Sequence, residues 1–122
     1  MTYSEFNRYC RRLPATSHVR QWGDADVWKV GGKVFAIGGW SDQLPAFTFK
    51  VSQMSFELLK AMPGLRPAPY LASRGLTWIQ AYAQPGLSDD ALMAYIGQSH
   101  RIVANGLSKK LQRELGLYQS PN

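Results

Sequence analysis

Four short segments between residues 17 and 51 alternate in side-chain character with a period of about two and are joined by short links. They are rich in Val, Ile, Phe and Trp, residues that suit the pleated surface of a sheet. A parallel crossover needs about a dozen residues or more, so these neighbours must pair antiparallel. The clearest link is Gly31-Gly32, a two-residue hairpin connection. The predicted strands cover residues 17–22, 26–30, 34–38 and 46–51.

Segments whose apolar residues are spaced as in a helix lie on both sides of these strands. Apolar residues recur on one face over residues 4–12, and Pro14 ends that predicted helix. A second helix is expected over residues 52–62, where Pro63-Gly64 stops it. A further strand is expected over residues 76–82.

The C-terminal part of the chain predicts more helix. The proline-broken stretch 66–70 is expected to be a loop or an edge segment. Ser88 can cap a helix that Gly97 is expected to interrupt. Ser99 would then cap a last helix reaching to about Leu115.

The composition is that of one globular domain. The chain has 122 residues, 45% of them hydrophobic and 12% aromatic, which is enough for a single core. We therefore predict one α+β domain over residues 1–122, with its core between about 4 and 115. The single cysteine, Cys10, lies on the apolar face of the first helix and excludes an intrachain disulfide. No run approaches the roughly 18 apolar residues of a membrane span, so a soluble, cytoplasmic protein is expected.

Residues for catalysis are scarce. The chain has two histidines, His18 and His100, and lacks both a nucleophile elbow and a phosphate-binding loop. The carboxylate pairs Asp24/Asp26 and Asp89/Asp90 suit a turn and a helix start better than a metal site. Ser99 and His100 are adjacent, and neighbours on a helix do not face each other; a cap and a surface histidine are expected. We predict no enzyme activity, no metal and no cofactor.

Net charge suggests the kind of partner. Fourteen Lys and Arg against eight Asp and Glu give +6 and a pI of about 9.7. Such a balance favours polyanions through long-range electrostatics, although many small basic proteins bind no nucleic acid.

The last predicted helix carries a dense group of basic residues. No acidic residue occurs from Ala91 to Arg113, whereas Arg101, Lys109, Lys110 and Arg113 are all positive. Near a helix C-terminus, the last three could simply stabilise the dipole, an alternative to phosphate binding. Arg101 is expected early in that helix, where the dipole disfavours a positive charge.

Other basic residues mark the predicted sheet. Lys29 and Lys33 flank the Gly-Gly hairpin, and Lys50 lies in an otherwise apolar strand. Arg74 precedes the 76–82 strand and could form a second basic tip. Such tips can grip phosphates, but edge lysines also prevent strand-to-strand aggregation.

Four tryptophans could offer base-stacking platforms. With a period of two in strands, Trp22, Trp28 and Trp78 are expected in the core. Trp40, in a Gly-Gly-Trp-Ser-Asp loop, is the one expected to be exposed.

Taken in order, these pieces resemble the MmcQ/YjbR family of proposed DNA-binding proteins. The resemblance runs from about Ser4 to Leu111, and it depends on the ordered set of pieces. The segment after Pro69-Tyr70 and the position of His100 differ from typical members. The matching pieces are Leu13-Pro14, the hairpin of residues 30–36, Phe49-Lys50-Val51, Pro69-Tyr70, Trp78, residues 99–103, Leu107 and Lys109-Lys110.

The resemblance implies a frataxin-like (CyaY-like) two-layer sandwich, an antiparallel sheet backed by N- and C-terminal helices. It also implies a double-wing mode of DNA binding, in which two hairpin-like projections flank a helix. Frataxins bind iron through an acidic first helix; here Arg8, Arg11 and Arg12 accompany a lone Glu5, which disfavours iron.

The leading hypothesis is a monomeric, non-catalytic protein that contacts the DNA backbone with low sequence specificity. The rival is a module on the same scaffold that binds an unidentified protein or small ligand, with no role at a membrane. The predicted nucleic-acid contacts are Lys29, Lys33, Lys50, Arg74, Arg101, Lys109 and Lys110.

Overall fold

The computed structural model describes residues 1–40, 45–69, 71 and 75–117. Its strands and helices follow one another largely in runs, as expected for an α+β fold. In chain order they are α1 (Tyr3–Arg12), β1 (Thr16–Gln21), β2 (Ala25–Val30), β3 (Lys33–Gly38), β4 (Phe47–Lys50), α2 (Gln53–Leu59), β5 (Leu65–Pro67), β6 (Trp78–Ala81), α3 (Asp89–Asn105) and α4 (Lys109–Glu114).

The strands form one six-stranded sheet in the order β1-β2-β3-β4-β6-β5. Every pairing is antiparallel, as the short links require. The proline-broken stretch forms the edge strand β5, which agrees with one of its two predicted forms. The hairpin closes at Gly31-Gly32, whose φ angles of 58° and 79° suit a turn that glycine adopts freely.

One face of the sheet carries the main core. Side chains that alternate towards this face pack against α1 and α3, so helices and sheet make two layers. The predicted two-layer α+β sandwich is confirmed. The largest fully buried side chains at this interface are Trp28, Phe6, Phe35, Phe49, Ile79 and Ile96.

Both long helices run from one end of the sheet to the other. At the end that holds the β1–β2 turn, here called the turn end, the N-terminal ammonium lies 2.9 Å from Asp89. At the opposite end, which holds the Gly31-Gly32 hairpin and is here called the hairpin end, His100 Nε2 lies 2.7 Å from the Pro14 carbonyl oxygen. The end of α1 and the second half of α3 therefore lie beside the hairpin.

The predicted helix boundaries near the C-terminus were wrong. Helix α3 continues through Gly97. Glycine suits this position because α1 approaches α3 closely there, not because the helix ends. A Cβ atom at that position would lie 2.7 Å from the Tyr9 hydroxyl oxygen. The chain leaves the helix at Gly106, and Ser108 caps the short helix α4 with its hydroxyl accepting from the Leu111 amide at 3.1 Å.

Ser99 and His100 also differ from the prediction. Ser99 is fully buried inside α3, where its hydroxyl donates to the Lys50 and Tyr95 carbonyl oxygens. It is thus a tie between helix and sheet, not a cap. His100 is 5% exposed, so the expected surface histidine is wrong as well.

The tryptophans divide differently from the prediction. Trp28 and Trp78 are buried, as expected, but Trp22 is 50% exposed and Trp40 is only half-buried. Trp22, Gly23 and Asp24 all adopt positive φ, so the chain turns sharply and carries the Trp22 side chain out of the strand pattern. The two rings contact each other, with centroids 5.3 Å apart.

The hairpin gives a matched pair of glycine substitutions. A Cβ at Gly31 would lie 2.5 Å from Leu107 Cδ1, whereas a Cβ at Gly32 would meet nothing within 4 Å. Gly32→Ala should cost about 1 kcal/mol for the left-handed backbone alone. Gly31→Ala should cost at least about 1 kcal/mol more, because Leu107 must move. Urea unfolding measures both, and equal losses would contradict the close contact.

The break between α3 and α4 can be tested, because a capping serine and a serine inside a helix respond to substitution by alanine in opposite directions. If Ser108 caps α4, Ser108→Ala should lower the free energy of unfolding by about 1 kcal/mol. Within one continuous helix the same substitution should instead stabilise slightly, since Ala has the higher helix propensity. Urea unfolding decides, with Ser88→Ala at the α3 cap as the positive control.

Candidate nucleic-acid interface

Carboxylates gather at the turn end. Glu5 lies in the first turn of α1, Asp89 and Asp90 open α3, Asp24 lies in the β1–β2 turn, and Asp26 is the second residue of β2. All of them except Asp26 lie there for a local reason, because acidic groups stabilise helix N-termini and Asp suits tight turns. The topology brings these carboxylates together at one end of the molecule.

Several of these carboxylates already have partners. Asp26 lies 2.8 Å from His18 Nε2 and 3.7 Å from Arg20 Nε. Glu5 accepts a hydrogen bond from the Thr2 amide, and this contact lowers the pKa of its carboxyl group. The turn end is therefore acidic but partly neutralised.

The hairpin end carries the opposite charge. The predicted residues Lys29, Lys33, Lys50, Arg101, Lys109 and Lys110 all lie there, and none makes an ion pair among the described residues. Among the described residues of α4, Glu114 is the one carboxylate. Among the described residues, most carboxylates thus lie at the turn end and most lysines at the hairpin end.

Lys33 and Lys50 line one small cleft of about 270 Å³. Its remaining walls come from Val34 and from the second half and end of α3. The Lys50 carbonyl oxygen is fixed by Ser99 at 2.5 Å, so strand β4 is held against the helix here. Two lysines from separate strands thus border the same concave surface.

Lys109 and Lys110 follow that cleft directly in the chain. Leu107 lines it, and Ser108 then caps α4, which places both lysines in the first turn of α4. The prediction put them near a helix C-terminus, and that is wrong. The helix dipole disfavours positive charge at this position, so stabilisation of the dipole does not explain these lysines. Arg113 lies in the last turn of α4, where a positive charge stabilises the helix dipole.

Arg101 and Lys29 lie at the same end but on other surfaces. Arg101 is past the middle of α3, not early in a helix as predicted, and it faces a second cleft beside α1. Lys29 alternates with the buried Trp28 and Val30, so it lies on the sheet face away from the helices. Arg74 lies outside the described residues.

Two further basic residues belong to this end and were not predicted as contacts. Arg11 and Arg12 form the last turn of α1, next to Leu13-Pro14. The Arg11 guanidinium lies 5.5 Å from the centroid of the Trp28 ring. The sequence could have indicated this, because both arginines come just before the helix-ending Pro14. Strand β1 begins directly after that proline and pairs with the end of β2 that leads into the hairpin.

No exposed aromatic side chain accompanies the basic residues in the described part of the hairpin end. Trp28 and Trp78 are buried there, and the exposed Trp22 lies at the turn end. Base stacking on single strands uses exposed aromatic rings near positive charge. The described surface therefore suits a phosphate backbone better than unstacked bases.

In the described part of the chain, the two residues weighed as a catalytic pair make structural contacts. The side chains of Ser99 and His100 bond to different elements, the Lys50 and Pro14 carbonyl oxygens respectively. Burial raises the pKa of the Cys10 thiol, which disfavours a reactive thiolate. Over the described ranges, no cluster of three or more His, Cys, Asp or Glu could hold a metal. Within the same ranges, no helix combines the length and apolarity needed to cross a bilayer.

Two solved structures share the fold. The crystal structure of the Deinococcus radiodurans protein DR2400, a DUF419 domain, matches with a TM-score of 0.82 at 22% identity, over 98% of this chain and 91% of that one. A Pseudomonas syringae protein matches with a TM-score of 0.68 at 19% identity, over 84% of this chain and 98% of that one. At these identities the likeness supports the fold alone.

Sequence comparison gives the family. The uncharacterized protein YbdF of Escherichia coli O157:H7 is 28% identical over 91 residues, which are 74% of this chain and 73% of YbdF. The YjbR family model matches residues 11–102, from the end of α1 through most of α3. This match includes the hairpin, the sheet and most of α3, and it ends before α4, which carries Lys109 and Lys110. The chain belongs to the YjbR family.

Proposed function

We propose that this protein is a non-catalytic, cytoplasmic nucleic-acid-binding protein that grips the phosphate backbone of duplex DNA at its hairpin end. The observation that carries the proposal is the separation of charge between the two ends. Opposed charges orient the molecule in the field of a polyanion, with the basic end leading and the acidic end away.

The Lys33–Lys50 cleft is the proposed contact surface for two neighbouring phosphates, one for each lysine. Both lysines border it, and neither makes a described ion pair that a phosphate would have to break. Lys109 and Lys110 would each contact a further phosphate from the first turn of α4. Each such contact releases condensed counterions, which is the main source of affinity for sequence-independent binding.

Low sequence specificity is expected at the Lys33–Lys50 cleft, where the polar lining side chains are the two lysines. Base reading in the major groove uses Asn, Gln or Arg in defined pairings. Gln112, which lies on α4 near the lysines, donates its amide to the Leu107 and Asn105 carbonyl oxygens and is therefore committed to the fold. The hairpin and the α3–α4 connection would act as one basic projection of the double-wing arrangement; Arg74, the predicted second basic tip, lies outside the described residues.

A duplex titration at several salt concentrations tests the proposal. If about four phosphates are neutralised, the logarithm of affinity should fall against the logarithm of salt concentration with a slope near −3.6. Affinity should change little between unrelated duplex sequences. Absence of binding at low salt would refute the proposal, and tighter binding to single strands would replace the duplex with another ligand.

Paired charge variants locate the contact surface. Lys33→Gln with Lys50→Gln should make the salt slope shallower by about 1.8, since two phosphate contacts are lost. The control is Arg8→Gln with Lys60→Gln, which removes the same charge from an exposed position on α1 and from the exposed C-cap of α2, where Lys60 pairs with Glu57. The control should keep the parental slope. Equal effects in both variants would show that only net charge matters.

A further inference from the structure

A second cleft, of about 620 Å³, lies on the other flank of α3. The end of α1 forms one wall, with Leu13 and Pro14. The second half of α3 forms the floor, and α4 with the residues after it closes the third side. Its volume falls in the range of small-molecule sites, which is about 300–1,000 Å³.

The lining combines an apolar surface with one formal charge. Leu13, Ala104 and Leu117 are apolar, and Arg101 is the one charged residue of the lining. Arg101 is exposed and makes no described ion pair. A guanidinium bound to no protein carboxylate and placed in a concave site is suited to bind a planar or tetrahedral anion through paired hydrogen bonds.

His100 adds a second polar group. Although it is 5% exposed, it lines this cleft, and Nε2 bonds to the Pro14 carbonyl oxygen at 2.7 Å. A ring nitrogen that bonds to a carbonyl oxygen carries the proton, so Nδ1 of the neutral ring is a hydrogen-bond acceptor. No hydrogen bond to Nδ1 occurs among the described residues. The side-chain amide of Asn105 likewise makes no described hydrogen bond.

We propose that this cleft binds a small organic anion, a carboxylate or phosphate monoester with a compact apolar body. Arg101 would hold the anionic group, Asn105 and His100 would orient it, and the body would rest on Leu13 and Ala104. The site is separate from the Lys33–Lys50 cleft, because α3 stands between them. The proposal therefore does not depend on DNA binding.

Amide chemical-shift titrations with benzoate, phenyl phosphate and the neutral benzamide test this site. The two anions should give saturable shifts confined to the cleft, at Gly97, Arg101, Asn105 and Gly116, and benzamide should bind at least about tenfold more weakly. The tighter anion identifies the preferred charged group. Benzamide binding as tightly as benzoate, or shifts that do not saturate, would overturn the proposal.

Matched variants separate this site from the DNA surface. Arg101→Gln should weaken anion binding about tenfold, and Arg8→Gln, an equal charge loss on exposed α1, should leave it unchanged. The Lys33→Gln, Lys50→Gln protein should bind the anions as the parent does. Unchanged anion binding in Arg101→Gln would refute the site even where duplex binding persists.

Discussion

The backbone of the β2–β3 hairpin lies directly against the side chain of Leu107. A methyl group at Gly31 would overlap the Leu107 side chain unless that side chain moved, and the Leu115 side chain lies beside it. This contact holds the hairpin and the α3–α4 connection together. It therefore determines that Lys33 on the sheet and Lys109 at the start of α4 occupy one end of the molecule.

Much of the fold could be read from local patterns. Short links and a Gly-Gly turn predict antiparallel pairing without knowledge of the tertiary structure. The C-terminal helices could not be placed in this way. In the sequence Gly97 resembles a helix break, but in the structure its role is to allow a tertiary contact. It is small so that Tyr9 can approach α3, whereas the actual break is at Gly106, before the cap Ser108. Likewise, the positive φ of Trp22 depends on its turn and is not visible in its periodicity.

The candidate site was predictable in its residues but not in its arrangement. Basic side chains at the hairpin and in the C-terminal region are visible in the sequence. Their common end is a consequence of topology, since α1 and α3 both run towards the hairpin and begin with acidic first turns. Arg101 shows the limit of reasoning from sequence. It belongs to the same end as Lys33 and Lys50, but α3 directs it into a different cleft.

The central proposal is that this YjbR-family protein binds duplex DNA with its hairpin end. Amide chemical shifts followed during titration with a short DNA duplex test it most directly, because they report on every part of the surface at once. The account predicts changes at the Gly31-Gly32 hairpin, around Lys50 and at the start of α4, with Trp22 and Asp89 unaffected. Changes centred on the turn end, or spread evenly over the surface, would contradict it.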